Sequence, residues 1–169
     1  HGPFVHTPLS LNAKTKHEKH VAMVEYTDHL LGKIIAKLES EKIRNNTIVI
    51  WTCDNGTSGA MTNLRNGRKV RGGKTKTTEN GVNTPFIVSC PGMVPAGKKS
   101  DALVDFTDMH QTFTDLAGGK PEAGYDYDGF SLKKVFLGTE EKNQRPWLLG
   151  MGSHPARLTE KGVETVYYF

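Results

Sequence analysis

Asp54, Asn55 and Gly56 close the apolar run Ile48-Val49-Ile50-Trp51 with a carboxylate and an amide oxygen side by side. Oxygen donors of this kind suit a hard cation such as calcium or magnesium. In open α/β sheets, ligands bind beyond the carboxyl ends of the strands. The same three residues also make an ordinary Asp-Asn-Gly turn with no ligand, Gly56 permitting the backbone to reverse. His6 stands by itself in Pro3–Leu11 and alone carries no assignment. His17 and His20 lie one helical turn apart, a spacing that could hold a metal, but near a helix start such residues are more often solvated. Gly72-Gly73-Lys74-Thr75 invites a phosphate-loop reading. It fails, because Arg68 occupies the place of the first required glycine and an apolar run, Thr84–Cys90, soon follows where a helix is needed.

The elements that must position these groups are legible from periodicity. Ile48–Trp51 is a short continuous apolar run bounded by turn residues, which reads as a strand buried on both faces in a parallel sheet. Between Lys16 and Glu41, Val21, Val24, Leu31, Ile34, Ile35 and Leu38 recur at three- and four-residue intervals. That pattern predicts an amphipathic helix packed on a sheet. A long Gly-, Asn- and Arg-rich loop is expected from Thr57 to Gly73, and long loops are often functional. Thr84–Cys90 reads as the next strand. Asp105–Leu116 reads as a helix with Phe106, Met109, Phe113 and Leu116 on one side, ended by Gly118-Gly119. Ser131–Leu137 is a short helix, and Trp147–Leu149 and Thr165–Phe169 are strands. Strands alternating with helices indicate an α/β fold with a mainly parallel sheet flanked by helices.

Composition sets the class. With 36% apolar residues and a mean hydropathy of -0.49, the chain is a polar domain long enough for a core. No run approaches the roughly 20 apolar residues needed to span a bilayer. The start at His1-Gly2-Pro3 and the end at Val166–Phe169 lead to the expectation of a piece cut from a longer protein. The formal charge is +4, much of the excess lying in Arg65, Arg68, Lys69, Arg71, Lys74 and Lys76. Such a cluster could meet nucleic acid, a small anionic substrate or only water, and few aromatics interleave with it to stack bases. Cys53 and Cys90 have neither zinc nor disulfide spacing and read as free thiols. Asn45-Asn46-Thr47 is formally a glycosylation acceptor, meaningful only in a secreted eukaryotic protein.

Taken in order, the residues resemble the sulfatases of the alkaline-phosphatase superfamily. His6-Thr7-Pro8 is similar to a His-x-Pro segment, and Tyr26–Lys33 to the helix before the metal strand. Asn46–Gly56 resembles the Asn-Thr-strand-Asp-Asn-Gly block. Arg71–Lys74 with Glu79-Asn80-Gly81 and Pro85–Ile87 resembles the Gly-Lys-x-x-x-x-Glu-x-Gly block. Asp105–Gly118 and Asp128-Gly129 resemble later landmarks. The resemblance covers roughly residues 3–150 and implies that residues 1–169 are part of a catalytic domain, with a smaller C-terminal subdomain beginning at about residue 151. It implies Asp54 and Asn55 as calcium ligands, and His6 and Lys74 as catalytic residues contacting the sulfate ester. Arg71 and Lys76 could add positive potential, though solvated charge is the preferred reading. The formylglycine nucleophile, made from a Cys or Ser in Cys/Ser-x-Pro-x-Arg, is expected upstream of residue 1, as are further calcium ligands. The chain alone should then be inactive. The implied partner is a sulfated small molecule or carbohydrate, with no nucleic acid and no membrane span, in the periplasm or outside the cell. A phosphoester hydrolase of the same superfamily and a non-catalytic sulfatase-derived domain are the alternatives. An amide at position 55 suits calcium, whereas the imidazole of an Asp-His pair would suit zinc.

Overall fold

The computed structural model describes residues 3–142, 145–150, 158–159 and 162–163. The longest element is helix α1 (Lys16–Ser40). It starts at a reciprocal cap. Thr15 Oγ1 accepts the Glu18 amide at 3.1 Å, while Glu18 Oε2 accepts the amides of Thr15 at 2.9 Å and Lys14 at 2.7 Å. A cap of this type is worth about 1 kcal/mol of helix stability. These hydrogen bonds, led by the one from Thr15, favour the charged carboxylate and lower the Glu18 pKa below its ordinary value.

The helix forms as its periodicity predicts, but the sheet expected beneath it is not there among the described residues. Only Ala22 of α1 is buried, and Val24 and Ile34 are 52% and 55% exposed. Periodicity fixes which side chains share a stripe, not whether this chain supplies the surface that covers them.

A 3₁₀ turn (Arg44–Asn46) leads into strand β1 (Val49–Thr52). Strands β2 (Thr62–Arg65) and β3 (Arg68–Arg71), the one-turn helix α2 (Glu79–Val82) and strand β4 (Phe86–Ser89) follow. β1 and β4 pair antiparallel, Ile50 opposite Val88 and Trp51 opposite Ile87. The α/β class holds, yet the pairing is not the parallel one expected. A parallel pair needs a crossover, usually a helix of some length; here the connection folds back on itself as a hairpin and a single helical turn. Every described ladder is antiparallel and two-stranded, including the short β5 (Leu158–Thr159) and β6 (Gly162–Val163). All four β1 residues are half-buried, so the strand is not sealed on both faces by this chain.

Three of the four largest fully buried side chains, Leu132, Thr112 and Asp108, lie around helices α3 (Asp108–Leu116) and α4 (Lys133–Phe136). Leu132 and Phe136 are buried there, and the Phe136 ring meets Phe86 of β4 at 6.1 Å. The face of α3 that points inward is polar. Asp108 and Thr112 are fully buried, whereas Phe106 and Phe113 are 60% and 51% exposed, the reverse of the expected apolar face. The polar atoms are satisfied. Thr112 Oγ1 accepts the Leu132 amide at 2.9 Å. Asp108 Oδ1 accepts the Phe130 amide at 2.8 Å and Oδ2 accepts the Asp105 amide at 2.9 Å. Arg145 completes the set, its Nη2 2.5 Å from Asp108 Oδ1 and 3.1 Å from both Thr107 Oγ1 and the Asp128 carbonyl. A buried charge needs such pairing, since desolvation otherwise outweighs its Coulombic gain. Trp147–Leu149 forms no strand; the segment is exposed and makes only an isolated bridge at Gly150. The strand expected at Thr165–Phe169 lies outside the described residues.

Candidate functional site

The loop after β1 and the loop after β3 are locked together by close backbone contact. The Gly56 amide donates to the Gly81 carbonyl at 2.8 Å, and the Lys74 amide to the Thr57 carbonyl at 3.0 Å. The Gly72 amide donates to Met61 at 2.9 Å, and Asn80 Nδ2 reaches the Arg71 carbonyl at 3.1 Å. Four glycines, Gly56, Gly72, Gly73 and Gly81, make this approach possible. A Cβ on Gly56 would lie 2.0 Å from the Asn80 carbonyl oxygen, and one on Gly72 2.1 Å from that of Ser58. Lacking Cβ atoms, the two loops seat the Asp54-Asn55 end of β1 beside the segment that carries Lys74. Thr84 Oγ1, at 3.3 Å from the Cys53 carbonyl, ties the start of β4 to the same point.

Asp54 is exposed, and Asn55 and Lys74 are half-buried. Within the described residues none of these three side chains makes a hydrogen bond or ion pair. A carboxylate, an amide oxygen and an ammonium group are therefore left free on one knot of backbone. The residue after Lys74 is strained: Thr75 has φ of 76°, a region a β-branched side chain rarely adopts. Such outliers persist only where the surrounding structure over-determines them, and they gather at functional sites. Here the Lys76 amide closes a turn onto the Gly73 carbonyl at 2.8 Å across that residue.

His6 is not bonded into this knot. It is exposed, and its Nδ1 lies 3.3 Å from the Ser10 carbonyl. A carbonyl only accepts, so Nδ1 carries the hydrogen and Nε2 is the nitrogen left to exchange a proton with a ligand. No hydrogen bond or ion pair joins His6 to Asp54, Asn55 or Lys74.

Asp54 and Asn55 suit calcium in donor type, but two residues fill only part of the six to eight positions it takes. Among the described residues no group of three His, Cys, Asp or Glu side chains converges on a metal position. His17 and His20 do not form a ligand pair. His17 Nε2 meets Asn63 Oδ1 at 3.0 Å, while His20 packs edge-on to Phe4 at 5.5 Å, its pKa lowered chiefly by burial. Arg71 is partly committed, its Nε donating to the Gly59 carbonyl at 2.7 Å. The Lys76 side chain makes no hydrogen bond or ion pair among the described residues.

Two features escaped the sequence reading. The expected loop from Thr57 to Gly73 holds the β2–β3 hairpin, whose turn residues Asn66 and Gly67 have φ of 51° and 77°. Asn-Gly is the strongest short-range hairpin signal, and it was present. The Arg145 cluster had no local signal, since its partners lie 17 to 38 positions away. One sequence point also needs correction. Ser153-His154-Pro155-Ala156-Arg157 fits the Ser-x-Pro-x-Arg spacing. It follows the Asp54 strand instead of preceding it, and lies outside the described residues.

The sulfatase family model matches residues 5–119. Human arylsulfatase D is 28% identical over 99% of this chain and 32% of its own length. Canine N-acetylgalactosamine-6-sulfatase is 35% identical over 68% of the chain and 22% of its own length. The crystal structure of Ps i-CgsB superposes with a TM-score of 0.69 at 28% identity, covering 83% of this chain and 32% of that one. The structure of BT4656 with its substrate D-glucosamine-2-N,6-O-disulfate gives 0.64 at 25% identity, covering 92% and 32%. The chain thus spans about a third or less of the length of these relatives. With a family model covering more than half of the chain and the Asp54–Lys74 knot inside it, the chain belongs to the sulfatase family.

Proposed function

We propose that the protein carrying this chain hydrolyses sulfate monoesters of carbohydrates, and that residues 1–169 supply about half of its active site. The observation that carries this reading is the glycine-locked knot, which leaves the side chains of Asp54, Asn55 and Lys74 without partners among the described residues, on adjacent loops. Asp54 and Asn55 would hold calcium through a carboxylate and an amide oxygen, and the ion would neutralise charge on the sulfate oxygens. Lys74 presents an ammonium group to the same oxygens, which gain negative charge as the ester bond breaks. His6 supplies the proton that the departing alkoxide needs, from the nitrogen not held by Ser10.

The remaining calcium ligands and the formylglycine nucleophile are assigned to polypeptide outside residues 1–169. Ser153 is not chosen despite its matching pentapeptide, because it comes after the Asp54 strand. Residues from about 151 begin the smaller subdomain, and the protein is assigned to the periplasm or the cell exterior. No helix of the described residues is long and apolar enough to cross a membrane. The likeness to BT4656, whose substrate is a sulfated sugar, supports the carbohydrate assignment.

The test uses the intact protein. Calcium should raise its melting temperature, and Asp54→Ala should abolish that shift. Lys74→Ala and His6→Ala should each lower turnover of a sulfate ester by about 100-fold or more, the scale of losing an acid or an electrostatic donor. Turnover unchanged in both variants would sink the assignment.

A further inference from the structure

We infer that the cleft between the start of α1 and the β2–β3 hairpin binds a second sulfate group on the substrate, so that the site favours multiply sulfated saccharides. The inference rests on the sulfatase reading above and adds the part of the substrate that departs.

The hairpin grows directly from the floor of the site. β2 begins a few residues beyond Asp54-Asn55, and β3 ends at Arg71, three residues before Lys74. A saccharide whose ester lies at Lys74 therefore has the hairpin as a neighbouring wall. From Thr57 to Thr78 the sequence contains no Asp or Glu, while Arg65, Arg68, Lys69, Arg71, Lys74 and Lys76 all fall within it. The side chains of Arg65, Arg68 and Lys69 make no hydrogen bond or ion pair among the described residues. Arg65 and Arg68 stand directly opposite across the ladder, next to the turn. Like charges so placed destabilise a strand pair. The hairpin nevertheless forms, its turn carried by Asn66 and Gly67. Its exposed charge is open to an anion that arrives from outside.

The cleft itself has the dimensions and chemistry for that anion. It is a shallow groove open to solvent, about 590 Å³ in volume, lined by His17, Thr62, Asn63, Leu64 and Lys69. That is the size range of small-ligand sites. The His17–Asn63 contact at 3.0 Å bridges its two walls, fixing the hairpin against the helix. Lys69 brings an ammonium group, Thr62 a hydroxyl and Asn63 an amide, all able to donate to sulfate oxygens. Leu64, 72% exposed, offers an apolar surface on which a sugar face can rest. Arg65 and Arg68 at the tip add attraction at longer range, the kind that raises association rates and weakens with salt.

The experiment titrates the intact protein, in calcium-chelating buffer, with a disulfated disaccharide and with its monosulfated counterpart. Chelation is chosen because the cleft uses no metal. The double variant His17→Ala/Lys69→Ala should bind the disulfated ligand about tenfold more weakly, a loss of 1.4 kcal/mol, and the monosulfated ligand as the wild type does. No loss, or an equal loss for both ligands, overturns the cleft. An equal loss for an oligoglutamate probe also overturns it, because the charge would then be unselective. Hydrolysis of a monosulfated aryl ester is followed separately with calcium present. Its absence in the wild type defeats the sulfatase reading, while the binding comparison still decides the cleft.

Discussion

Gly56→Ala puts the geometric argument for the site at risk. A methyl group there would meet the Asn80 carbonyl oxygen at 2.0 Å, with Asn80 C at 2.8 Å and Gly81 Cα at 2.9 Å. All three are backbone atoms and cannot rotate away. Cβ contacts below 3.0 Å essentially do not occur, so the two loops must separate by about 1 Å, the difference between 3.0 and 2.0 Å. That movement breaks the Gly56–Gly81 hydrogen bond and carries Asp54-Asn55 away from the Lys74 segment. A misplacement of about 1 Å can cost roughly 100-fold in rate. The assay is turnover of a sulfate ester by the intact protein, alongside its calcium-dependent melting shift. Gly59→Ala is the matched control from the same loop, since its Cβ would have the Gly72 carbonyl oxygen at an ordinary 3.6 Å. It should leave turnover within about threefold of wild type, given that surface changes away from special features are usually small. If Gly56→Ala turns over as fast as Gly59→Ala, the locked loops do not set the site's geometry.

Three further outcomes follow from the same structure. Arg145→Met leaves the Asp108 carboxylate buried without its cation, and should cost about 3–5 kcal/mol in urea unfolding; a loss below about 1 kcal/mol would show the pair to be dispensable. Thr75→Asn places a residue tolerant of positive φ at 76° and should stabilise the protein by about 1 kcal/mol, read as a higher melting temperature. At Glu18 the folded state favours the carboxylate, so its contribution is present above the ordinary glutamate range and is lost as pH falls through the lowered folded value. The melting temperatures of wild type and Glu18→Gln should therefore converge in acid, and a gap that persists there would contradict the cap.

Local chemistry was legible where the sequence repeats it. α1 spans 25 residues with a sustained apolar period and a cap at Thr15–Glu18, and it forms as predicted. The short helix expected at Ser131–Leu137 forms as α4, with Leu132 at its cap and Phe136 within it both buried. What periodicity could not supply was the partner surface, so the stripe of Val24 and Ile34 stands open. On α3 the hydrophobic count pointed to the wrong face, because Asp108 and Thr112 are buried through hydrogen bonds to Phe130, Leu132 and Arg145, all distant in sequence. The hairpin was missed by weighing the loop's composition above its one turn signal, Asn66-Gly67. At the site, Asp54 and Asn55 were picked out by their place after a strand, but their nearness to Lys74 was visible only through resemblance. The physical cause of that nearness is the set of glycines Gly56, Gly72, Gly73 and Gly81, which a motif records as letters and the structure records as contact.

The Arg145 cluster also governs how the chain between its partners is free to change. Asp108 and Thr107 hold one end of the excursion through residues 117–142, and Arg145 fastens the other, with Asp128 caught between. The exposed stretch Lys120–Asp126, with Gly118 and Gly124 at φ of 74° and 91°, hangs from ends that are already closed. Doubling the length of such a loop adds only about 0.6 kcal/mol of closure entropy. Insertions there are absorbed locally, and the helices beneath keep their register. Drift in length can thus accumulate in this loop over generations while the Asp54–Lys74 knot remains undisturbed.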